Sequence, residues 1–285
     1  MNVNDLKIFE AVAAHGSFTK AAEAMFTVQS NVTARIKSLE EEFNVHLFKR
    51  TSRTVELTSA GEIFIQYCKK LNHLTETVKQ ELSATDKLFG LLKIGCIETT
   101  MALKIPGVIN EFTDKYPDVT LNFKADNSVN LINDVLTYKL DAAFVAAPIT
   151  APDLGTQLIK EEKLVITTSE KHPELKEYLT KGPVKIVVFD QGCSYRPKLE
   201  AWLNNKGIIN YQCTVLNTLE GIINFVEAGI GITIMPEDLI TQLYYNRKLK
   251  TYPIEGDLGL LTTVITYRND IPHSNAMKVF MSLFQ

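Results

Sequence analysis

The first sixty residues place the tightest limits on what this chain can fold into. Leu6, Phe9 and Ala13 recur at helical spacing, and Gly16 then supplies the residue best suited to a left-handed C-terminal cap. Ser17 is a good N-cap for a second short helix containing Ala21, Ala22 and Met25, whose paired alanines let two helix backbones approach closely. After a break at Phe26-Thr27, a third helix is predicted from about Val28 to Phe43. Its apolar stripe is Val32, Ile36, Leu39 and Phe43, stepping by four, three and four. Three helices with a tight turn before the last form the helix-turn-helix pattern.

The other face of the third helix opens with Gln29, Ser30, Asn31, Thr33 and Arg35. These short or forked hydrogen-bonding side chains suit base edges, and a helix N-terminus also favours a nearby phosphate. Taken alone, a polar helix face is more simply a solvated one. Glu40, Glu41 and Glu42 at the far end would be repelled by DNA, which orients the helix in a groove. The next segment, Lys49 and Arg50 through Arg53 to Val55-Glu56-Leu57, reads as a small hairpin with a basic tip, a wing placed for phosphates or the minor groove. Residues 1–58 carry seven acidic and seven basic side chains, so the placement of the bases, not their excess, points to DNA.

The run Phe18-x-x-Ala21-Ala22, Gln29-Ser30-x-Val32-Thr33, Ile36-x-x-Leu39-Glu40, Leu47-Phe48-x-Arg50 and Leu57-Thr58-x-Ala60-Gly61 resembles the N-terminal signature of LysR-type transcriptional regulators. The chain departs from it at Val28, where the family usually has Ser or Thr, so Thr27 is expected to take over capping. It departs again at Ala34, where many relatives carry a DNA contact, leaving Arg35 next door to compensate. The resemblance implies a winged helix-turn-helix over 1–58, a dimerising linker helix over 59–88 and a two-lobe α/β effector domain over 89–285 that resembles periplasmic solute-binding proteins. It also implies double-stranded operator DNA, a small anionic metabolite as effector, a homodimer through the linker helix, a homotetramer, and RNA polymerase as a further partner.

Ser59 and Glu62 fit a capping box at the start of that linker. Phe64, Tyr67, Leu71, Leu74 and Val78 then follow a three-four alternation that one helix cannot bury alone. The resemblance favours a partner copy over packing on the helix's own domain, and the helix is expected to end before Gly90.

From Leu91 strands and helices alternate, which predicts an α/β region with a largely parallel sheet. Strands are expected at Leu91–Cys96, Val119–Phe123, Ala142–Ala146, Leu164–Thr167, Lys185–Phe189, Cys213–Leu216 and Ile232–Met235. A seam at Gln157–Lys163 and a returning strand at Leu261–Tyr267 suggest two lobes joined by two crossovers: lobe I over about 89–162 and 267–285, lobe II over about 163–266. Ligands in such lobes sit where strand C-terminal ends meet helix N-termini. Three edges qualify: Glu98-Thr99-Thr100, Asp126-Asn127-Ser128 and Gly192 to Arg196. Thr99, Thr100, Ser128 and Arg196 are the candidate effector contacts, hydroxyls and a guanidinium suited to a carboxylate. Helix capping, and for Arg196 an i,i+4 pair with Glu200, are the plainer roles.

A hydrophobic content of 45% with 22% charged residues argues against disorder, while a net charge of −3 gives no bulk attraction to nucleic acid. No stretch approaches the roughly 18 apolar residues of a membrane helix, and no basic leader precedes an apolar run, so a cytoplasmic protein without membrane partners is expected. Cys68, Cys96, Cys193 and Cys213 form no Cys-x-x-Cys pair and have no His at ligand spacing, so no metal and no cofactor is expected. No nucleophile elbow, phosphate loop or metal cluster marks an enzyme. Two alternatives remain open: a redox-responsive regulator using Cys193 with Cys213, and a solute-binding module without DNA function, which would have no use for a wing.

Overall fold

The computed structural model describes residues 1–51, 54–82, 87–103 and 105–284. The chain divides into two compact units, Met1–Asp86 with Ile271–Asn275, and Lys87–Asp270 with Ala276–Gln285.

In the first unit the helices α1 (Val3–His15), α2 (Phe18–Ala24) and α3 (Gln29–Phe43) lead into a hairpin of β1 (Phe48–Arg50) and β2 (Val55–Leu57), followed by α4 (Ser59–Leu82). Gly16 closes α1 at φ +58°, the left-handed cap its position predicts, and the Ser17 hydroxyl accepts from Lys20 N at the start of α2. Leu6, Phe9, Ala21, Val32, Ile36 and Leu39 interlock in one core. Phe9 lies at the centre, its ring 4.9 Å from those of both Phe48 and Phe64, so wing and α4 pack onto the helices through the same aromatic.

Two expectations for α4 change. Thr58, not Ser59, is the cap: its hydroxyl accepts from Gly61 N at 3.0 Å and donates to His46 O at 2.7 Å. The chain already bends at Thr58 to complete the wing, which places the capping hydroxyl one residue earlier than a Ser59 cap requires. Phe64 does not belong to an outward seam but packs on the core beside Phe43, ring centroids 5.1 Å apart. The outward apolar stripe is Ile63, Tyr67, Leu71, Val78 and Leu82, all exposed.

The second unit is built from β3 (Gly90–Cys96), α5 (Glu98–Leu103), α6 (Ile105–Lys115), β4 (Val119–Ala125), α7 (Ser128–Leu136), β5 (Ala142–Ala146), β6 (Leu154–Ser169), α8 (Leu175–Tyr178), β7 (Val184–Val188), α9 (Tyr195–Asn205), β8 (Tyr211–Val215), α10 (Leu219–Ala228), β9 (Thr233–Pro236), α11 (Glu237–Leu243), β10 (Leu249–Pro253), β11 (Leu260–Arg268) and α12 (Asn275–Ser282). Among the described residues the main sheet runs β10-β6-β11-β5-β3-β4, with β9 also on β6 and β7-β8 as a separate pair. The sheet is not largely parallel. Among the described strands only β3-β4, β3-β5 and β7-β8 pair in parallel, whereas β6 and β11 are antiparallel to each other and to their other neighbours.

The physical reason lies in β6, a continuous 16-residue strand that runs through the expected seam at Gln157–Lys163. Its first half pairs with β11 and its second with β9 and β10, so one strand passes from one lobe to the other and β11 returns beside it. One lobe gathers its core around Leu92, Ile94, Phe112, Phe144 and Phe280 with Leu131 and Val145; the other gathers around Ile186, Leu199, Trp202 and Ile234 with Ile222 and Leu239. Gly231 sits where β9's approach meets β7: a Cβ there would lie 2.6 Å from Lys185 O, inside the pairing that joins Ile232 to this strand.

Candidate nucleic-acid interface and effector cleft

On α3, Gln29 and Ser30 are exposed at the N-terminal end, and the Gln29 side-chain carbonyl accepts from Thr19 Oγ1 at 3.2 Å, which steers its amide group. Asn31 is turned back: its Nδ2 donates to Thr27 Oγ1 at 3.0 Å, bracing the turn before the helix. Thr27 is thus an acceptor for that amide, and no side chain caps α3 at Val28. Thr33 Oγ1 donates to Gln29 O at 2.9 Å. Arg35 pairs with Asp5, whose carboxylate is buried at the start of α1 and also accepts from Asn2 N. It ties α3 to α1, and Ala34 beside it is exposed.

The wing is anchored through Glu40. This carboxylate accepts from Leu47 N at 2.9 Å, Phe48 N at 3.2 Å and the Arg50 guanidinium at 3.3 Å, so its place at the far end of α3 reflects a structural role as much as repulsion from DNA. Arg50 also lies over the Phe18 ring, 4.5 Å from its centroid. Lys49 is exposed on the hairpin, and Arg53 lies outside the described residues.

Sequence reasoning missed Phe26. It is 98% exposed and holds φ at +51°, directly ahead of α3. An aromatic between a helix end and a break was its one visible signal.

In the second unit a cavity of about 350 Å³ opens where β3, β4 and β7 end and α5, α7 and α9 begin, as the strand-end rule predicts. All three expected edges contribute to it, through Glu98, Thr99, Asp126, Asn127, Ser128, Cys193, Ser194 and Tyr195. Asn217, ahead of α10, adds a fourth edge, and Phe189 and Ile97 supply apolar wall. Three contacts cross between the lobes at its rim: Thr99 Oγ1 to Tyr195 OH at 2.7 Å, Leu219 N to Glu98 Oε2 at 2.6 Å, and Ser128 Oγ to Ser194 Oγ at 3.5 Å.

Two of the four expected contacts are not on the lining. Arg196 donates to Glu200 Oε1 at 2.9 Å instead, because α9 buries Tyr195, Leu199, Trp202 and Leu203, and residue 196 falls one helical step off that face. Thr100 is buried, its hydroxyl without a partner among the described residues.

The electrostatics also depart from expectation. Among the described residues Glu98, Asp126 and Asp190 line the cavity, and no Lys or Arg does. Burial raises the Asp126 pKa, but hydrogen bonds from Asn130, Lys124 and Asn127 N outweigh it and hold the carboxyl below its ordinary value. Burial drives the Tyr195 hydroxyl well above the ordinary tyrosine range, so it serves as a neutral hydrogen-bonding group. Burial likewise pushes up the thiol of Cys193, and partial desolvation raises that of Cys213 although it is exposed. A peroxide sensor needs the opposite, a stabilised thiolate, so these environments disfavour a redox role.

Residues 3–62 match the family model described as bacterial regulatory helix-turn-helix protein, lysR family, and residues 85–285 match the LysR substrate binding domain. The chain belongs to the LysR family of transcriptional regulators. It is 36% identical over 285 residues to the HTH-type transcriptional regulator CzcR of Bacillus cereus, covering all of this chain and 97% of the relative. It is also 36% identical over 281 residues to the HTH-type transcriptional regulator SoxR of Arthrobacter, covering 99% of this chain and 96% of the relative. A full-length OxyR variant from Pseudomonas aeruginosa shares the fold at a TM-score of 0.75 with 21% identity, covering 100% of this chain and 94% of that one. CbnR complexed with its target DNA does so at 0.68 with 18% identity, covering 100% and 99%. This LysR-family chain is therefore a DNA-binding transcriptional regulator with a two-lobe substrate-binding domain, not an enzyme. Among the described residues no helix is long and apolar enough to cross a membrane.

Proposed function

We propose that this regulator reads duplex DNA with the N-terminal end of α3, through Gln29 and Ser30, and holds the duplex with Lys49, Arg50 and Arg53 of the wing. The division into a reading head over 1–58, a linker helix over 59–88 and a sensor over 89–285 belongs to the same reading. So do a cytoplasmic location, a homodimer along α4, a tetramer of two such dimers and RNA polymerase as downstream partner. Support for the dimer is the stripe Ile63, Tyr67, Leu71, Val78 and Leu82, exposed along one helix.

The observation that carries the sensing function is the cavity itself, bridged by hydrogen bonds between lobes that two long strands connect. A solute bound there changes DNA binding only if it favours one arrangement of the lobes over another. Its lining revises the expected effector. Asp126 is paired with Lys124, but Glu98 and Asp190 also line the wall, and no basic side chain does among its described residues, so a simple anion meets repulsion, whereas a small polar solute bearing an amino group finds acceptors. Thermal-shift screening of the full chain against matched anionic, zwitterionic and cationic metabolites tests this. Amine-bearing solutes should raise Tm, and Asp190→Asn should reduce the rise. Stabilisation by anions alone would overturn the assignment.

A further inference from the structure

The turn between α2 and α3 goes against local stability at adjacent points. Phe26 is in the left-handed region at φ +51°, where Gly, Asn or Asp are at home and a bulky side chain is not. Its ring is 98% exposed and packs in no hydrophobic core, although Met25 beside it does. Val28 holds the N-cap of α3 without any side-chain cap hydrogen bond, where Ser, Thr, Asp or Asn would satisfy the helix end, and it is 64% exposed. The turn backbone is nevertheless well held, with Phe26 N donating to Glu23 O at 3.1 Å and Thr27 N to Ala22 O at 2.9 Å. Among the described residues of this unit, nothing rewards two large apolar side chains at this spot.

What they adjoin is the polar start of α3. Gln29 and Ser30 follow at once and are exposed as well, so the apolar pair directly precedes the helix end that a helix-turn-helix lays into the major groove. In that groove the C5-methyl of thymine is the one apolar group that a base pair presents, and aromatic and aliphatic side chains recognise it by contact.

We propose that Phe26, with Val28, packs on thymine methyl groups beside the base addressed by Gln29, so that the protein selects thymine at one or two positions per half-site. This rests on α3 being the recognition helix, and it adds an apolar arm to a reading otherwise made of hydrogen bonds. Strain in the turn fits such a role, because it holds the ring ahead of the helix instead of letting it fold back onto the core.

The test uses the full chain and a duplex enriched by it from a random-sequence pool. Each thymine is replaced in turn by deoxyuridine, which removes only the methyl, and binding is followed by fluorescence anisotropy. The parent should lose about fourfold in affinity at one or two positions per half-site, the ratio for a buried methyl-sized group at about 0.8 kcal/mol. Phe26→Asn suits the left-handed backbone, so the turn is kept while the ring is lost; this variant should bind thymine and deoxyuridine duplexes equally at those positions. A parent indifferent to deoxyuridine everywhere overturns the proposal without needing any variant. So does a Phe26→Asn protein that still discriminates as the parent does, or one whose only change is in sedimentation mass, which would assign the ring to a second copy. Gln29→Ala is the separate control on α3 itself: lost preference at a neighbouring base with no deoxyuridine effect sinks the Phe26 assignment alone, whereas no altered base preference at all sinks the recognition-helix reading.

Discussion

Tyr195→Phe removes one oxygen from the hydrogen bond that links the lobes across the rim of the cavity. The Tyr195 hydroxyl lies 2.7 Å from Thr99 Oγ1, and both side chains are buried, Thr99 at 1% exposure and Tyr195 at 4%. Without its partner the Thr99 hydroxyl stays out of reach of bulk water, so the loss is the desolvation cost of an unsatisfied group, about 1–3 kcal/mol. With a urea m-value of about 2 kcal/mol/M, the midpoint should fall by roughly 0.5–1.5 M. The chain has a single tryptophan, Trp202, buried in the core around α9, so intrinsic indole fluorescence follows this unit and not the helix-turn-helix. The second half of the test is Thr99→Val combined with Tyr195→Phe. Replacing both partners by apolar groups removes the orphaned hydroxyl, and the double variant should regain most of the lost stability, to within about 1 kcal/mol of the parent. A Tyr195→Phe protein with the parent's midpoint would refute the reasoning. A double variant no more stable than the single one would do the same, because the two hydroxyls would then be uncoupled.

Leu71→Asp with Val78→Asp places two charges on the exposed stripe of α4, and sedimentation should show dissociation to smaller species; native mass in a folded variant would rule out the α4 dimer. Gly61→Ala drives a Cβ into Leu47 O, inside van der Waals contact, where α4 leaves the wing. Thermal melting of the first unit should drop by an amount worth about 1–3 kcal/mol, and an unchanged Tm would show that the junction yields. With burial holding its pKa up, Cys193 should alkylate with iodoacetamide more slowly at pH 7 than a free thiol, and peroxide should leave DNA binding unchanged; rapid labelling would revive a redox role. The Asp126 carboxyl, held below its ordinary value of 3.8, contributes stability that is full above this value and is lost as pH falls through its lower folded pKa, so Asp126→Asn should flatten the acid limb of the melting profile below about pH 4.

Much of this regulator is legible along the chain because it depends on spacing over a few residues. The step of Val32, Ile36 and Leu39, the Gly16 and Ser17 caps, the alternation around Val55 and Leu57, and the strand-end positions of Glu98, Asp126 and Ser194 are all local patterns, and each appears where it was expected. The tertiary structure alone decided which side of each element a residue meets. Arg196 and Tyr195 are neighbours in sequence, yet the packing of α9 turns Tyr195 into the cavity wall and Arg196 towards Glu200, and so leaves the wall acidic. Phe64 had the spacing of a dimer seam until Phe9 and Phe43 claimed it. The seam at Gln157–Lys163 was visible along the chain, but not that one strand, β6, runs through it, because its pairing partners lie about a hundred residues away in β11 and seventy in β9. Periodicity says that a face exists; which partner covers it depends on contacts between distant segments, and those exist only once the chain has closed on itself.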